Sequence, residues 1–528
     1  MLIKASLLSA LALVANVAPA ASPPLYDLLI VNGQVVDGDG RTLDGVAIAI
    51  QGDRIVAVEP WLAQRASARR TIDARGMIVA PGFIDPHTHA NAALTSPDAD
   101  KRANLAWAFQ GVSTVVVGND GDGLSEAKRP GAAAGTNYAV LSGFGRIRRA
   151  VIGDVDRAAT SAELTQMQQA VARDMCDGAF GFSTGLYYAP QSFAATDEVI
   201  ALASVAAKMG GYYDTHLRVE GNSGIGVVGA LDEALEITEK AGMPLHVSHI
   251  KALGPAAWGK AEAMIDRIEK ARARGRQVTA DQYPWDASGT RISSALLPRS
   301  AVDGGMEALR RRLADPAQAA DIERAIEENI TGRGGPDRLL VTGVVGNAGV
   351  TAGKTLAQLA SESGTTPAKV AIEALRKGDA NLASFNMSAE NIKAFAYKDW
   401  VVTGSDGSTG HPRMYASFPK AWSDLVREGT MSIGRFIARS TGDTARVIGL
   451  EGRGFLRAGY AADIVIFNPE RFKAVANYVN PTALSGGVQT LLVNGVPVIE
   501  NGRYAGTLPG VRLKKVQKGT QCSAPPLV

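Results

Sequence analysis

Residues 81–90 read PGFIDPHTHA. The apolar Phe83-Ile84 pair predicts a short strand, and His87 and His89 close it. Side chains alternate faces along extended chain, so histidines at i and i+2 point the same way. The chain has only six histidines, and two more end predicted strands: His216 closes GYYDTH (211–216) and His249 closes PLHVSH (244–249). Asp406 ends WVVTGSD (400–406), and Asp120 follows the VVVGN run at 115–119. One strand-end histidine is ordinary structure. Four, with two carboxylates, form a metal-binding constellation of the type that suits Zn²⁺.

Outward from this stretch, residues 81–440 alternate strands with Ala-rich helical segments. The strands are VSTVVVG (112–118), YAVLSG (138–143), AFGFS (179–183), VTADQYP (278–284) and those already named; ALDEALEITEKAG (230–242) is one intervening helix. Repeated βα units predict a parallel sheet. Polar residues gathered at its strand ends predict an α/β fold of the (β/α)₈ TIM-like barrel type, whose active site lies at the C-terminal strand ends. Residues 21–80 and 441–528 have a different texture, short alternating strands punctuated by Asn32-Gly33, Gly52-Asp53 and Asn494-Gly495. These segments predict a small β-sandwich domain built from both termini.

The first twenty residues read as a signal peptide: Lys4, an apolar run from Ala5 to Val17, and Ala18-Pro19-Ala20 as the cleavage site. The expected destination is the periplasm or the exterior, with no stable membrane anchor, since no later apolar run is long enough to span a bilayer. The 528 residues are 46% hydrophobic and 20% charged, with net charge +3. That excludes a disordered chain, and the scattered charge argues against nucleic acid as a partner. Two cysteines exclude a disulfide scaffold and leave the pairing of Cys176 with Cys522 open. Oligomeric state has no signal in the sequence.

The segments FSTGLYYAP (182–190), THLRVEG (215–221), VSHIK (247–251), DQYP (281–284), NMSAENI (386–392), GSDG (404–407) and HPRMYASFP (411–419), with the histidine pair, resemble the D-aminoacylase (N-acyl-D-amino acid deacylase) family of the amidohydrolase superfamily. The resemblance runs over about residues 27–510. It implies a barrel with a β-sandwich and one or two zinc ions. By position, His87 and His89 would bind one metal and His216 and His249 the other, with Asp406 acting on the hydrolytic water. Many family members carry Cys where this chain has Asp120, a harder ligand. Asp122 is an alternative ligand nearby.

The implied substrate is a small N-acyl amino acid or short peptide. Its α-carboxylate needs cationic and hydroxyl donors, for which Lys251, Tyr283 and Arg291 are placed, with Tyr188 lining the pocket. The implied reaction is amide hydrolysis, Asp406 serving as general base and then general acid; a D-specific dipeptidase or carboxypeptidase is the close alternative. Among the other histidines, His246 faces away from His249 and reads as packing or support, and His411 as structural. Arg218 and Glu220 read as an ion pair. Three motifs carry less: Ser183 in GFSTG (181–185) fits a serine-hydrolase elbow, Ser248–Lys251 fits S-x-x-K, and AGVTAGKT (348–355) approximates a P-loop. A barrel kept only for binding is the non-enzymatic alternative.

Overall fold

The computed structural model describes residues 25–124, 133–516 and 522. The leader segment, 1–20, lies outside the described residues. The centre is a ring of parallel strands: β1 (Phe83–Asp85), β2 (Val112–Val117), β3 (Asn137–Val140, continued by Ser142–Gly143), β4 (Gly181–Gly185), β5 (Tyr212–His216), β6 (Leu245–Val247), β7 (Val278–Gln282) and β8 (Val401–Thr403). Each pairs in parallel with the next. A parallel bridge between Thr88 and Gly407 brings the end of β8 back to β1, where the His89 amide donates to the Gly407 carbonyl at 3.0 Å. Strands β2, β4 and β5 are buried along their whole length, because helices cover one face and side chains fill the other.

The covering helices are amphipathic and locally encoded. Helix Ser161–Cys176 starts at a capping box in which Thr160 and Glu163 satisfy each other's backbone amides. It packs with helices Thr196–Lys208, Gly226–Ala241 and Ala261–Ala273 on the outer barrel face, through Met167, Leu202, Leu231 and Ile268 against Phe182 and Val247.

Between β7 and β8 the chain leaves the barrel. Strands Ser288–Arg291, Gly378–Ser384 and Leu339–Gly346 form an antiparallel sheet in that spatial order. Helices including Pro316–Gly332 and Pro367–Lys377 pack on it around Leu309, Ile326, Leu356 and Leu375. This inserted unit has its own core and was not anticipated, because its strand pairing is antiparallel while its helices share the barrel's Ala-rich texture. The P-loop-like stretch falls here. Thr355 caps helix Leu356–Ser363, and Lys354 pairs with Glu362 at 2.6 Å, so the motif is a helix start.

The two ends of the chain meet in facing sheets. One holds Leu25–Val31, Ala47–Gln51, Arg54–Glu59 and Ser67–Asp73; the other joins Ile78–Pro81 of the N-terminal part to Ile464–Phe467 and Val488–Val493 of the C-terminal part. Ile30, Ile48 and Ile50 pack across to Val79, Ile464, Ile466 and Leu492. The second sheet seats on the barrel through an aromatic cluster: Phe83 at the start of β1 stacks on Phe418 and meets Phe467 and Phe472 edge-on or tilted. Cys176 and Cys522 form a disulfide, Cα atoms 5.4 Å apart, which ties the end of the chain to helix Ser161–Cys176. No helix among the described residues is long and apolar enough to cross a membrane.

Candidate metal centre

The C-terminal rim of the barrel converges on one buried cluster. Barrel closure sets the His249 ring, just past β6, 4.7 Å from His87 past β1 and 4.6 Å from His216 at the end of β5. Asp120, just past β2, and Asp406, past β8, complete the group. Asp120 Oδ1 lies 3.5 Å from His87 Nε2 and 3.7 Å from His249 Nε2, and Asp406 Oδ1 lies 3.7 Å from His87 Nε2. Ligand atoms of His87, Asp120, His249 and Asp406 all lie within 4.8 Å of one another. His89 faces the same carboxylates at 3.3 and 3.5 Å.

The donor set fits a divalent cation. His87 Nε2 and Asp120 Oδ1 are buried without a hydrogen bond, an arrangement that a buried polar group tolerates badly unless something else takes its lone pair. Burial pushes His87 and His216 down to about 4, so both imidazoles stay neutral and able to donate. Burial alone would raise Asp120 and Asp406, but their basic neighbours win: the facing His87, His249 and His216 imidazoles hold Asp120 down, and Arg413 with His249 holds Asp406 well below the carboxylate range. Both remain ionised.

The backbone aims these groups. Asp120, His249 and Asp406 have φ of 56°, 37° and 47°; the other described non-glycine residues with positive φ are all Asn. Left-handed backbone at such residues is strained, and the surroundings hold it. Gln191 accepts from Gly185 N at 2.7 Å and donates to the Asp120 carbonyl at 2.8 Å. A Cβ on Gly121 (φ +75°) would stand 2.2 Å from Gln191 Oε1, so only glycine fits there. Asp85, within β1, accepts from the amides of His87 (3.3 Å) and Ser405 (3.0 Å) and from Trp107 Nε1 (3.1 Å), tying the ends of β1 and β8 together. Burial raises it to about 7.

Several assignments change. The structure brings the two histidine pairs read from sequence to one place: His87 joins His249, Asp120 and Asp406 in one group, His89 faces the same two carboxylates, and His216 Nδ1 lies 3.0 Å from His249 Nε2. His216, His249 and Glu220 form a second group. Arg218 pairs with Glu233 at 2.8 Å, and Glu220 instead turns to His216, His249 and Lys251. Asp122 is 3.9 Å from His89 Nδ1 and its side chain is 64% exposed, outside the buried group. Ser183 donates to the Gly118 carbonyl and accepts from Gly121 N at 3.2 Å; it braces the Asp120 loop, and the serine-hydrolase reading fails.

His246 Nε2 meets Asp281 at 3.1 Å, and His411 holds the Ala287 carbonyl and the Arg413 amide. Lys251 lines the cavity, with Nζ 2.6 Å from Glu220 Oε1. Tyr283 is buried with an unpaired hydroxyl; the Lys251 ammonium lies 5.7 Å and the Arg413 guanidinium 4.9 Å from its ring centre. Tyr188 sits 4.9 Å from the His216 ring on the cavity wall. Arg291 is exposed at the mouth, on the inserted sheet. Sequence reading passed over Arg413, whose Nη1 lies 2.7 Å from Asp406 Oδ2. The cavity above the cluster holds about 1340 Å³ and is walled by barrel loops on one side and the inserted unit on the other.

A parallel-stranded barrel whose C-terminal rim gathers buried imidazoles and carboxylates is the architecture of a metal-dependent barrel enzyme. Residues 70–499 match the family model described as Amidohydrolase family, and the chain belongs to that family. It is 29% identical to a D-aminoacylase from Alcaligenes xylosoxydans xylosoxydans, covering 92% of this chain and 97% of that one. It is 31% identical to the same organism's N-acyl-D-glutamate deacylase, over 89% and 93%. The solved structure of a Bordetella bronchiseptica N-acyl-D-glutamate deacylase, complexed with zinc and a phosphonate that mimics the reaction's tetrahedral intermediate, superposes with a TM-score of 0.77 at 29% identity, covering 93% of this chain and 100% of that one.

Proposed function

We propose that this protein hydrolyses the amide bond of N-acyl-D-amino acids with zinc bound at the barrel rim. The observation that carries this is the convergence of His87, Asp120, His249 and Asp406, with His87 Nε2 and Asp120 Oδ1 unpaired, on one point at the floor of a large cavity. The relatives' substrates support the acyl-amino-acid class and the D configuration. A cation held by these side chains supplies the acidification of water and the polarisation of the scissile carbonyl.

The chain's own residues do the rest. Asp406, kept ionised beside Arg413, accepts a proton from the attacking water and returns it to the departing nitrogen. The Tyr283 hydroxyl, lacking a partner, and the Arg413 guanidinium provide donors for the substrate α-carboxylate. Lys251, held by Glu220, the His249 carbonyl and His249 Nδ1, adds a buried positive charge on the cavity wall that attracts the same carboxylate. Tyr188 forms part of the wall that excludes water.

A peptidase reading also has an observation behind it. About 1340 Å³ exceeds the common range of roughly 300–1000 Å³ for small-ligand sites, so the acyl side has room for a peptidyl group. Export is part of the proposal, supported by the leader-like first twenty residues and by the Cys176–Cys522 disulfide, a bond that persists in oxidising compartments. The test is turnover of N-acetyl amino acids and dipeptides, both enantiomers, before and after chelation and zinc return. Activity on D-substrates that chelation abolishes and zinc restores is expected; activity surviving chelation refutes the mechanism.

A further inference from the structure

Glu220 lies outside the metal-binding reading of the sequence, yet it is the buried carboxylate behind two of the cluster's histidines. His216 turns Nδ1 toward Asp120 (3.9 Å) and Nε2 toward Glu220 Oε2 (3.4 Å). His249 turns Nε2 toward Asp120 (3.7 Å) and Nδ1 toward Glu220 Oε1 (3.3 Å). His216 thus has one nitrogen on the cation side and the other, which has no hydrogen-bond partner, on Glu220; His249 Nδ1 is held by Lys251 Nζ at 2.6 Å. A neutral imidazole that gives one lone pair to a cation carries its proton on the other nitrogen, and that N–H needs an acceptor. For His216 Nε2 the acceptor within reach is Glu220, whereas His249 Nδ1 meets the Lys251 ammonium that Glu220 holds.

A direct-ligand role for Glu220 meets an obstacle. The space between Glu220 Oε1 and His249 Nδ1 already has a cation beside it: Lys251 Nζ is 2.6 Å from each. That ammonium also donates to the His249 carbonyl at 3.1 Å, which fixes it in place. A second divalent ion there would sit against a buried positive charge.

We propose that Glu220 is a positioning residue: one carboxylate that accepts a hydrogen bond from His216 Nε2, so that Nδ1 of that ring faces the metal, and that holds the Lys251 ammonium against His249. This rests on the cation-binding reading of the cluster. Glu220→Gln keeps the shape but removes the charge that holds Lys251 and leaves one carbonyl oxygen for both the His216 N–H and the ammonium, with an amide donor against the other.

The experiment measures equilibrium cation binding and the visible spectrum of the cobalt(II)-loaded protein for wild type, Glu220→Gln and Glu220→Asp, with melting temperatures of the metal-free proteins alongside. Expected is an unchanged number of bound ions, a dissociation constant weakened 10–100-fold in Glu220→Gln, a shifted cobalt spectrum, and partial recovery in Glu220→Asp. Loss of a whole equivalent of metal in Glu220→Gln would make Glu220 a ligand and overturn the proposal. Unchanged affinity and spectrum, with only a lowered melting temperature, would make it merely structural and also overturn it. Wild type that takes up no divalent cation would sink the metal reading itself, and this inference with it.

Discussion

The Asp406–Arg413 pair offers the sharpest quantitative test of the site. Arg413 Nη1 stands 2.7 Å from Asp406 Oδ2, and the side chains are 2% and 6% exposed. Removing one partner of such a buried pair leaves an uncompensated charge and costs about 3–5 kcal/mol. Asp406→Asn strands the guanidinium, and Arg413→Met leaves the carboxylate with imidazoles alone. Each single variant is expected to lose at least about 3 kcal/mol in urea unfolding of the metal-free protein at pH 7. The double variant removes both charges and should lose little more than either single one. That is a coupling of roughly 3 kcal/mol, against about 0.5 kcal/mol of scatter for independent sites. Asp406 is depressed in the folded state, so its contribution is complete above the unfolded value of about 4 and fades as the pH falls through the folded one; pH 7 retains it in full. Additive losses would refute the pair as drawn. For catalysis, Asp406→Asn with full metal content should drop kcat by about 10²–10⁴, and near wild-type turnover would remove Asp406 from proton transfer.

Other residues give simpler readouts. Asp120→Ala should lower bound metal measured by elemental analysis after dialysis, whereas Asp120→Cys should retain it with a stronger preference for zinc over manganese, since thiolate is the softer ligand. Ser183→Ala should keep turnover and sensitivity to chelation while losing about 1 kcal/mol of stability, because its hydroxyl braces the Gly118 carbonyl; abolished turnover in a folded, metal-loaded variant would revive the serine mechanism. Lys251→Met should raise KM for N-acyl amino acids, and amidation of the substrate carboxylate should erase the difference between variant and wild type. Loss of that charge without any change in KM would take Lys251 out of carboxylate binding.

The parts of the site legible in the sequence share a cause. His87, His89, His216, His249, Asp120 and Asp406 each end or follow a short apolar run, and a strand end is a local property of the chain. The missed residues have no such marker. Glu220 reads as Arg218's neighbour along the chain, but the loop after His216 sends Arg218 to Glu233 on the next helix and returns Glu220 to the rings. Arg413 lies beyond β8 in a segment with no strand or helix pattern to orient it. Asp85 left a trace, an acid in the buried strand Phe83–Asp85, whose reason is visible only when Ser405 and Trp107 arrive as donors.

By itself the sequence determined the parallel barrel, the joining of both ends in a β-domain, and which strand ends carry metal-type ligands. Periodicity and strand-end position are written in neighbouring residues and need no partner to be read. Tertiary structure alone decided that His249 stands between His87 and His216, that Glu220 lies behind two rings, that Arg413 keeps Asp406 ionised, and that a separately cored unit walls the cavity. Each of these depends on the distance between residues far apart in the chain. Barrel closure, which sets that distance, is a property of all eight strands together.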